Sequence, residues 1–288
     1  MWGEQEAPAV MPPDRLIGGR PHQASQYYDA GLDFNCFGED PTIRYMLATV
    51  PRSGSTYCAI RFWQSGLLGA PMEYLNFRVV GNLLRRLGYS IEMEAMSLVN
   101  YWQDVERLRT SANGVYGFKM FIANYIEIAK RAPDFLAEIR PDHVVYLTRQ
   151  DEIGQAMSYS RAQRSKAWFA GIPSTPEVEY DFAHIRMCLR SINHQKNAWE
   201  KTFDLTGTMP IRITYEDLLA RGDTCIRDVQ SAMGIAPASQ AAIDIPMIER
   251  QTDGVSLEWR ERFMEDSVRE QQRLEDEQAK EQEEPVET

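Results

Sequence analysis

Residues 44–63, RYMLATVPRSGSTYCAIRFW, decide the architecture of this chain. A largely apolar, β-prone run ends at Pro51, a short polar loop follows, and a helical pattern begins at once. This order sets the free amides of a helix N-terminus, and the positive end of its dipole, at the carboxyl end of a strand, where both favour an anion. Gly54 lets the loop turn tightly, and Ser53, Ser55 and Thr56 offer hydroxyls. Arg52 adds a planar fork suited to two oxygens of a phosphate or sulfate. The pattern GxxxxGK[ST] is absent, because no lysine precedes Ser55 and Thr56, and this weakens an ATP or GTP reading. The stretch is also compatible with an ordinary strand–turn–helix whose serines only cap the helix.

Working outward, β-prone runs recur at 115–120 (VYGFKM), 143–148 (HVVYLT) and 210–214 (PIRIT), joining the one at 44–50. Helical periodicity marks 55–67, 92–112, 121–139, 151–169, 177–203, 216–233 and 256–272. Strands separated by helices require crossovers, hence a parallel sheet with helices on both faces. Continuous apolar strands fit a sheet buried on both sides. The expectation is one α/β domain over 44–268, a three-layer α/β/α sandwich with a central parallel sheet. A Pro- and Gly-rich arm at 1–43 is expected to lie over it. The segment 269–288 is expected to be a disordered acidic tail or a frayed helical extension.

Charge and cysteine usage narrow the class. The net charge is −11 over 288 residues, but residues 270–288 hold eight acids and two bases, so the body carries only about −5. That balance argues against nucleic acid as a partner. Cys36, Cys58, Cys188 and Cys225 are far apart and show no CxxC or metal spacing, which points to buried free thiols in a reduced, cytoplasmic protein. The first residues carry acids and no apolar core, unlike a signal peptide, and no run of about 18 apolar residues suggests a membrane span.

In such a sheet, ligands bind beyond the carboxyl ends of the strands. The second strand ends in KMF with Lys119, and the third runs into RQD with Arg149. Ser158 follows nine residues on, with Arg161, Arg164 and Lys166 on the same helix. A lone arginine there is ordinarily a surface charge or the partner of an acid such as Asp151. Two anion sites on neighbouring strand ends suit a ligand with phosphates at both ends of a nucleoside.

TVPRSGST followed by VVYLTRQDEIGQAMSYSRA resembles the two cofactor motifs of sulfotransferases that use 3′-phosphoadenosine-5′-phosphosulfate (PAPS). GAPMEYLNF, YGFKMF, YDFAHIRMCLRSINHQKNAWEKTF, IRITYEDL and ERQTDGVSLEWRERF are similar to segments of one bacterial branch, the family of the mycobacterial trehalose 2-sulfotransferase, in the same order from about 44 to 265. The resemblance implies the P-loop-like sulfotransferase fold. It implies that Arg52, Ser53, Gly54, Ser55 and Thr56 hold the 5′-phosphosulfate, and that Arg149 with Ser158 holds the 3′-phosphate of PAPS or of its product, 3′-phosphoadenosine 5′-phosphate (PAP). Ser158 stands one residue further from its arginine than in the cytosolic enzymes. Arg250 and Gln251 fall where the family closes a late loop over the nucleotide. Glu73, in the P-x-E-Y segment, takes the place of the general base that removes the acceptor's proton, a role cytosolic enzymes give to histidine. Of the four histidines, His22, His143, His184 and His194, none follows a strand end. Lys119 is placed to stabilise charge on the sulfuryl or leaving group, although a strand-end lysine can equally be a snorkelling surface residue.

The acceptor implied is a sugar or glycolipid hydroxyl, contacted through 78–112 and by aromatics near MEYLNF, with most aromatics in the core. No metal is expected, and a homodimer is a further implication of the resemblance. A phosphotransferase of the nucleotide-kinase type and a non-catalytic nucleotide-binding relative are the alternatives.

Overall fold

The computed structural model describes residues 23–34, 40–77, 79–90, 95–168, 178–237, 243–247 and 254–283. Four strands form one sheet: β1 (Ile43–Thr49), β2 (Val115–Phe121), β3 (His143–Thr148) and β4 (Ile211–Thr214). Their order is β2-β1-β3-β4, and every pairing is parallel.

Register shows why the sheet is covered on both faces. Leu47 lies opposite Lys119 on β2 and Val145 on β3, so these side chains share one face with Tyr45 and Thr49. The helix α1 (Ser55–Gln64) covers that face, with Phe62 against Tyr45 at 6.3 Å between ring centroids. Tyr116, Phe118 and Tyr146 point the other way. There Trp102 of α3 (Ala95–Arg109) meets Tyr116 and Phe118 edge-on, and Phe203 of α7 (Phe182–Thr206) meets Tyr146. The three-layer α/β/α arrangement is therefore the observed one. Gly117 is obligatory, because the Tyr45 ring crosses it to donate to the Leu68 carbonyl (2.8 Å) and a Cβ there would lie 2.4 Å from that ring.

Several helix boundaries differ from periodicity. A short helix, α2 (Gly81–Leu87), occupies a stretch with no predicted element. The helix expected at 121–139 divides into α4 (Ile122–Arg131) and α5 (Pro133–Glu138), because Pro133 cannot continue a helix but can start one. The helix expected at 216–233 divides into α8 (Tyr215–Arg221) and α9 (Asp223–Ala232) at Gly222. Following β3, α6 (Glu152–Ser165) is capped by Asp151, whose side chain accepts from Gly154 N.

At the C-terminal end, α10 (Gly254–Glu283) continues through the acidic segment as far as Glu283, so of the two readings of that tail the helical extension is the one seen. Ion pairs one turn apart accompany it, such as Arg273 with Glu270 and Glu277. Among the described residues no helix is long and apolar enough to cross a membrane. The arm over residues 23–34 forms two 3-10 turns whose Tyr27 and Tyr28 are buried in the domain's core.

Candidate active site

The loop between β1 and α1 is fixed at several points. Thr49 and Ser53 share a hydroxyl–hydroxyl bond of 2.6 Å, Trp199 Nε1 donates to the Thr49 carbonyl (2.9 Å), and Gln155 Nε2 donates to the Pro51 carbonyl (2.7 Å). Arg52 has φ 61° and Gly54 φ 83°. A left-handed arginine is strained, and such strain persists only where surrounding contacts over-determine it. Those contacts are visible: Arg52 Nε donates to Ser158 Oγ (2.9 Å) and Nη1 to the Trp168 carbonyl (2.6 Å). Gly54 is pressed by Tyr215, the first residue of α8, and a Cβ on it would lie 2.2 Å from that ring.

Cations converge on this loop. Burial, reinforced by the charges of Arg149 and Arg161, lowers the Arg52 guanidinium to about 10. Arg149 lies over the Tyr215 ring, its centre 5.5 Å from the centroid, and donates from Nη2 to Asp151 (3.1 Å). Its Nε is buried without a hydrogen-bond partner among the described residues. Asp151 also receives Arg260 (2.5 Å), and Glu216 accepts from the amides of Gln150 and Asp151. Burial works to raise the Asp151 carboxyl, but the bonds from Arg260 and Gly154 and the nearby arginine charges outweigh it, leaving it below the usual value. The β1–α1 loop and the segment after β3 thus meet through Arg52 and Ser158, with Tyr215 touching Gly54 and Arg149 alike.

Beside the cradle stands the Glu73 segment. Met72 bridges to Phe118 as a fragment of parallel strand, and Lys119 N donates to the Met72 carbonyl (2.9 Å). The Glu73 carboxylate is gripped at both oxygens, by Lys119 Nζ on Oε1 (2.8 Å) and by Asn76 Nδ2 on Oε2 (2.7 Å). Lys119 Nζ donates onward to Thr56 Oγ1 (3.1 Å). The lysine side chain is only 1% exposed and the glutamate 15%, so this ion pair links the cradle to an acid that still reaches the surface.

Of the residues singled out in the sequence, Arg52, Ser53, Gly54, Ser55, Thr56, Arg149, Ser158, Lys119 and Glu73 fall in this region. Ser158, expected at the 3′-phosphate with Arg149, accepts from Arg52 Nε. Arg250 and Gln251 lie outside the described residues, as do Cys36 and His22. His143 opens β3, at the end of the strand away from the loops, and His184 is engaged with Ser160 Oγ (2.8 Å). Tyr74 and Tyr101 are fully buried and so are closed to a sugar, whereas Phe77 is half-buried. Cys58, Cys188 and Cys225 are free and buried. Among the described residues no cluster of three or more His, Cys, Asp or Glu side chains could hold a metal ion.

The sequence reading did not pick out Asn76, Gln155 or Tyr215 as site residues. Tyr215 follows β4 directly, so inspecting the fourth strand end as the other three were inspected would have found it. Asn76 and Gln155 carry no local signal.

The profile of the Stf0 sulphotransferase family matches residues 44–266. Two curated relatives are the trehalose 2-sulfotransferases of Mycolicibacterium smegmatis (strain ATCC 700084 / mc(2)155) and Mycobacterium tuberculosis (strain ATCC 35801 / TMC 107 / Erdman). The first is 26% identical over 266 residues, covering 80% of this chain and 97% of the relative. The second is 27% identical over 263 residues, covering 78% and 96%. With the family profile spanning the sheet, the cradle and the Glu73 segment, the chain belongs to the Stf0 sulphotransferase family and is a sulfotransferase.

Proposed function

We propose that this sulfotransferase moves the sulfuryl group of PAPS to a hydroxyl of a carbohydrate or glycolipid acceptor, with Glu73 as general base. One observation carries the reading: Lys119 Nζ joins the Glu73 carboxylate (2.8 Å) to the Thr56 hydroxyl (3.1 Å), setting an acid directly beside an anion cradle. The names of the two relatives favour a hydroxyl of a disaccharide such as trehalose.

The donor fits the residues present. The buried, unpartnered Arg149 Nε supplies a donor for a phosphate oxygen, and Arg52 gains from an anion that relieves the repulsion of Arg149 and Arg161. Ser53, Gly54, Ser55 and Thr56 supply amides and hydroxyls at the start of α1. PAPS, when bound, supplies an activated sulfuryl group on a phosphate leaving group. Glu73 accepts the proton of the attacking hydroxyl, a task that typically contributes about 10² to 10⁴ in rate. Asn76 fixes one carboxylate oxygen, so the orientation of the base is set before the acceptor arrives. Lys119 and Arg52 place positive charge where negative charge develops on the departing phosphate.

The test is calorimetric titration of the purified chain with PAP, with and without Mg²⁺, followed by transfer of labelled sulfate from PAPS to trehalose. Micromolar, metal-independent binding with transfer is expected. Absence of PAP binding would overturn the donor assignment. Binding without transfer to trehalose, but with transfer to another sugar, would redirect the acceptor alone.

A further inference from the structure

The arm lies before residue 44, where the family match begins, yet its Tyr27 and Tyr28 pack into the domain's core. Arg109, at the end of α3, is fully buried, and a buried guanidinium is tolerated only where it is neutralised and hydrogen-bonded. The arm supplies the neutralising charge and the hydrogen bonds of Nη1, while Nε and Nη2 make no hydrogen bond among the described residues. Arg109 pairs with Asp33 (3.0 Å) and donates to the carbonyls of Tyr27 (3.1 Å) and Leu32 (3.5 Å), its guanidinium resting over Trp63 at 5.1 Å. Arg86 of α2 closes the second oxygen of Asp33 (2.5 Å). Phe34 N donates to the Leu108 carbonyl (2.9 Å), and Tyr27 Oη to that of Pro246 (3.0 Å).

The same latch reaches the base. The Arg109 carbonyl accepts from Ala70 N (3.2 Å), where the Glu73 segment begins. Tyr74 Oη donates back to the Ala70 carbonyl, and the Tyr28 ring meets Tyr74 edge-on at 6.1 Å. Burial, with the Glu73 charge next in weight, holds the Tyr28 hydroxyl well above its ordinary range.

We propose that the arm is a working part of the active site, in which Tyr28 and the Asp33–Arg109 latch are positioning residues that hold residues 70–77 against β2 and so keep Glu73 beside Lys119. Its catalytic consequence rests on the reading of Glu73 as the base; the clamp itself does not.

The experiment compares the full-length chain with Tyr28→Ala, Tyr28→Phe and Asp33→Asn, following amide hydrogen exchange, PAP affinity and sulfate transfer to trehalose. In Tyr28→Ala, peptide 70–77 should exchange about tenfold faster while a peptide from α9 is unchanged, because only the local clamp is loosened. Tyr28→Phe, which restores the ring, should return that exchange towards the parental rate. The turnover of Tyr28→Ala on trehalose should fall about tenfold with PAP affinity unchanged, the signature of a misplaced base rather than a damaged cradle. Exchange of 70–77 unchanged, or accelerated equally with that of α9, would overturn the clamp. A loosened segment with unaltered turnover would overturn the positioning role. Should Tyr28→Ala not fold, Asp33→Asn decides by the same readouts. A parent chain that binds no PAP would refute the donor assignment, while the exchange data would still decide the clamp.

Discussion

Replacing Glu73 by Gln tests the heart of the site, and the structure sets what should happen. The glutamate accepts from a nearly inaccessible lysine at 2.8 Å and from Asn76 at 2.7 Å. Glutamine keeps an oxygen for Lys119, and Asn76 can turn its own amide to receive the new NH₂, so neither bond need be lost. What disappears is the charge that neutralises Lys119. Removing one partner of a fully buried pair costs about 3–5 kcal/mol. Here the retained bonds and the partial exposure of Glu73 reduce the expected loss to about 2 kcal/mol, or a fall in Tm of about 4–8 °C in a domain of this size.

Turnover should fall further than stability suggests, by about 10² to 10⁴, because the amide cannot take a proton. PAP affinity should stay within about threefold, since Glu73 is joined to the cradle through Lys119. The double variant Glu73→Gln/Lys119→Met should be more stable than the sum of the single variants implies, by roughly 1–3 kcal/mol, because it removes both charges. The assays are sulfate transfer to trehalose, calorimetry with PAP and thermal denaturation. Turnover of Glu73→Gln within threefold of the parent would refute the base assignment. An equal loss of PAP affinity would make Glu73 part of the cradle instead.

Two further outcomes are expected. Arg149→Ala removes a stacked guanidinium with a buried free donor and should weaken PAP by about tenfold to a hundredfold in calorimetry, while an unchanged dissociation constant would reject its phosphate role. Arg52, lowered to about 10 in the free chain, should be charged and fully effective towards PAP at neutral pH. Affinity should decline as pH rises through about 10, and binding there should take up a proton, because a bound anion raises the guanidinium again. The folded state binds this proton less tightly than the unfolded chain, so the contribution of this group to stability rises above that pH. Calorimetry in buffers of different ionisation enthalpy would expose the uptake, and its absence at pH 10 would refute the lowered guanidinium in the free chain, whereas unchanged PAP affinity in Arg52→Ala would remove Arg52 from the anion site.

The sequence by itself determined the sheet and the strand–loop–helix turn that follows its first strand. Apolar runs of strand length, each followed by helical periodicity, leave little besides a parallel sheet, and PRSGST at the end of β1 sets its turn and its hydroxyls in consecutive residues. Helix breaks at Pro133 and Gly222 were also written in the chain, although periodicity running across them hid the division. Glu73 became legible through the P-x-E-Y resemblance, not through any property of an isolated acid.

The tertiary structure alone decided which groups touch. Lys119 reaches Glu73 and Thr56 because Leu47 and Lys119 share a register, and because the Met72 bridge runs the Glu73 segment alongside β2. Ser158 meets Arg52, and Arg109 is buried against the arm. Periodicity and turn chemistry act within a few residues, so one sequence displays them. Pairings across tens of residues depend on how layers stack and which charges lose water, and those are settled only when the chain has packed.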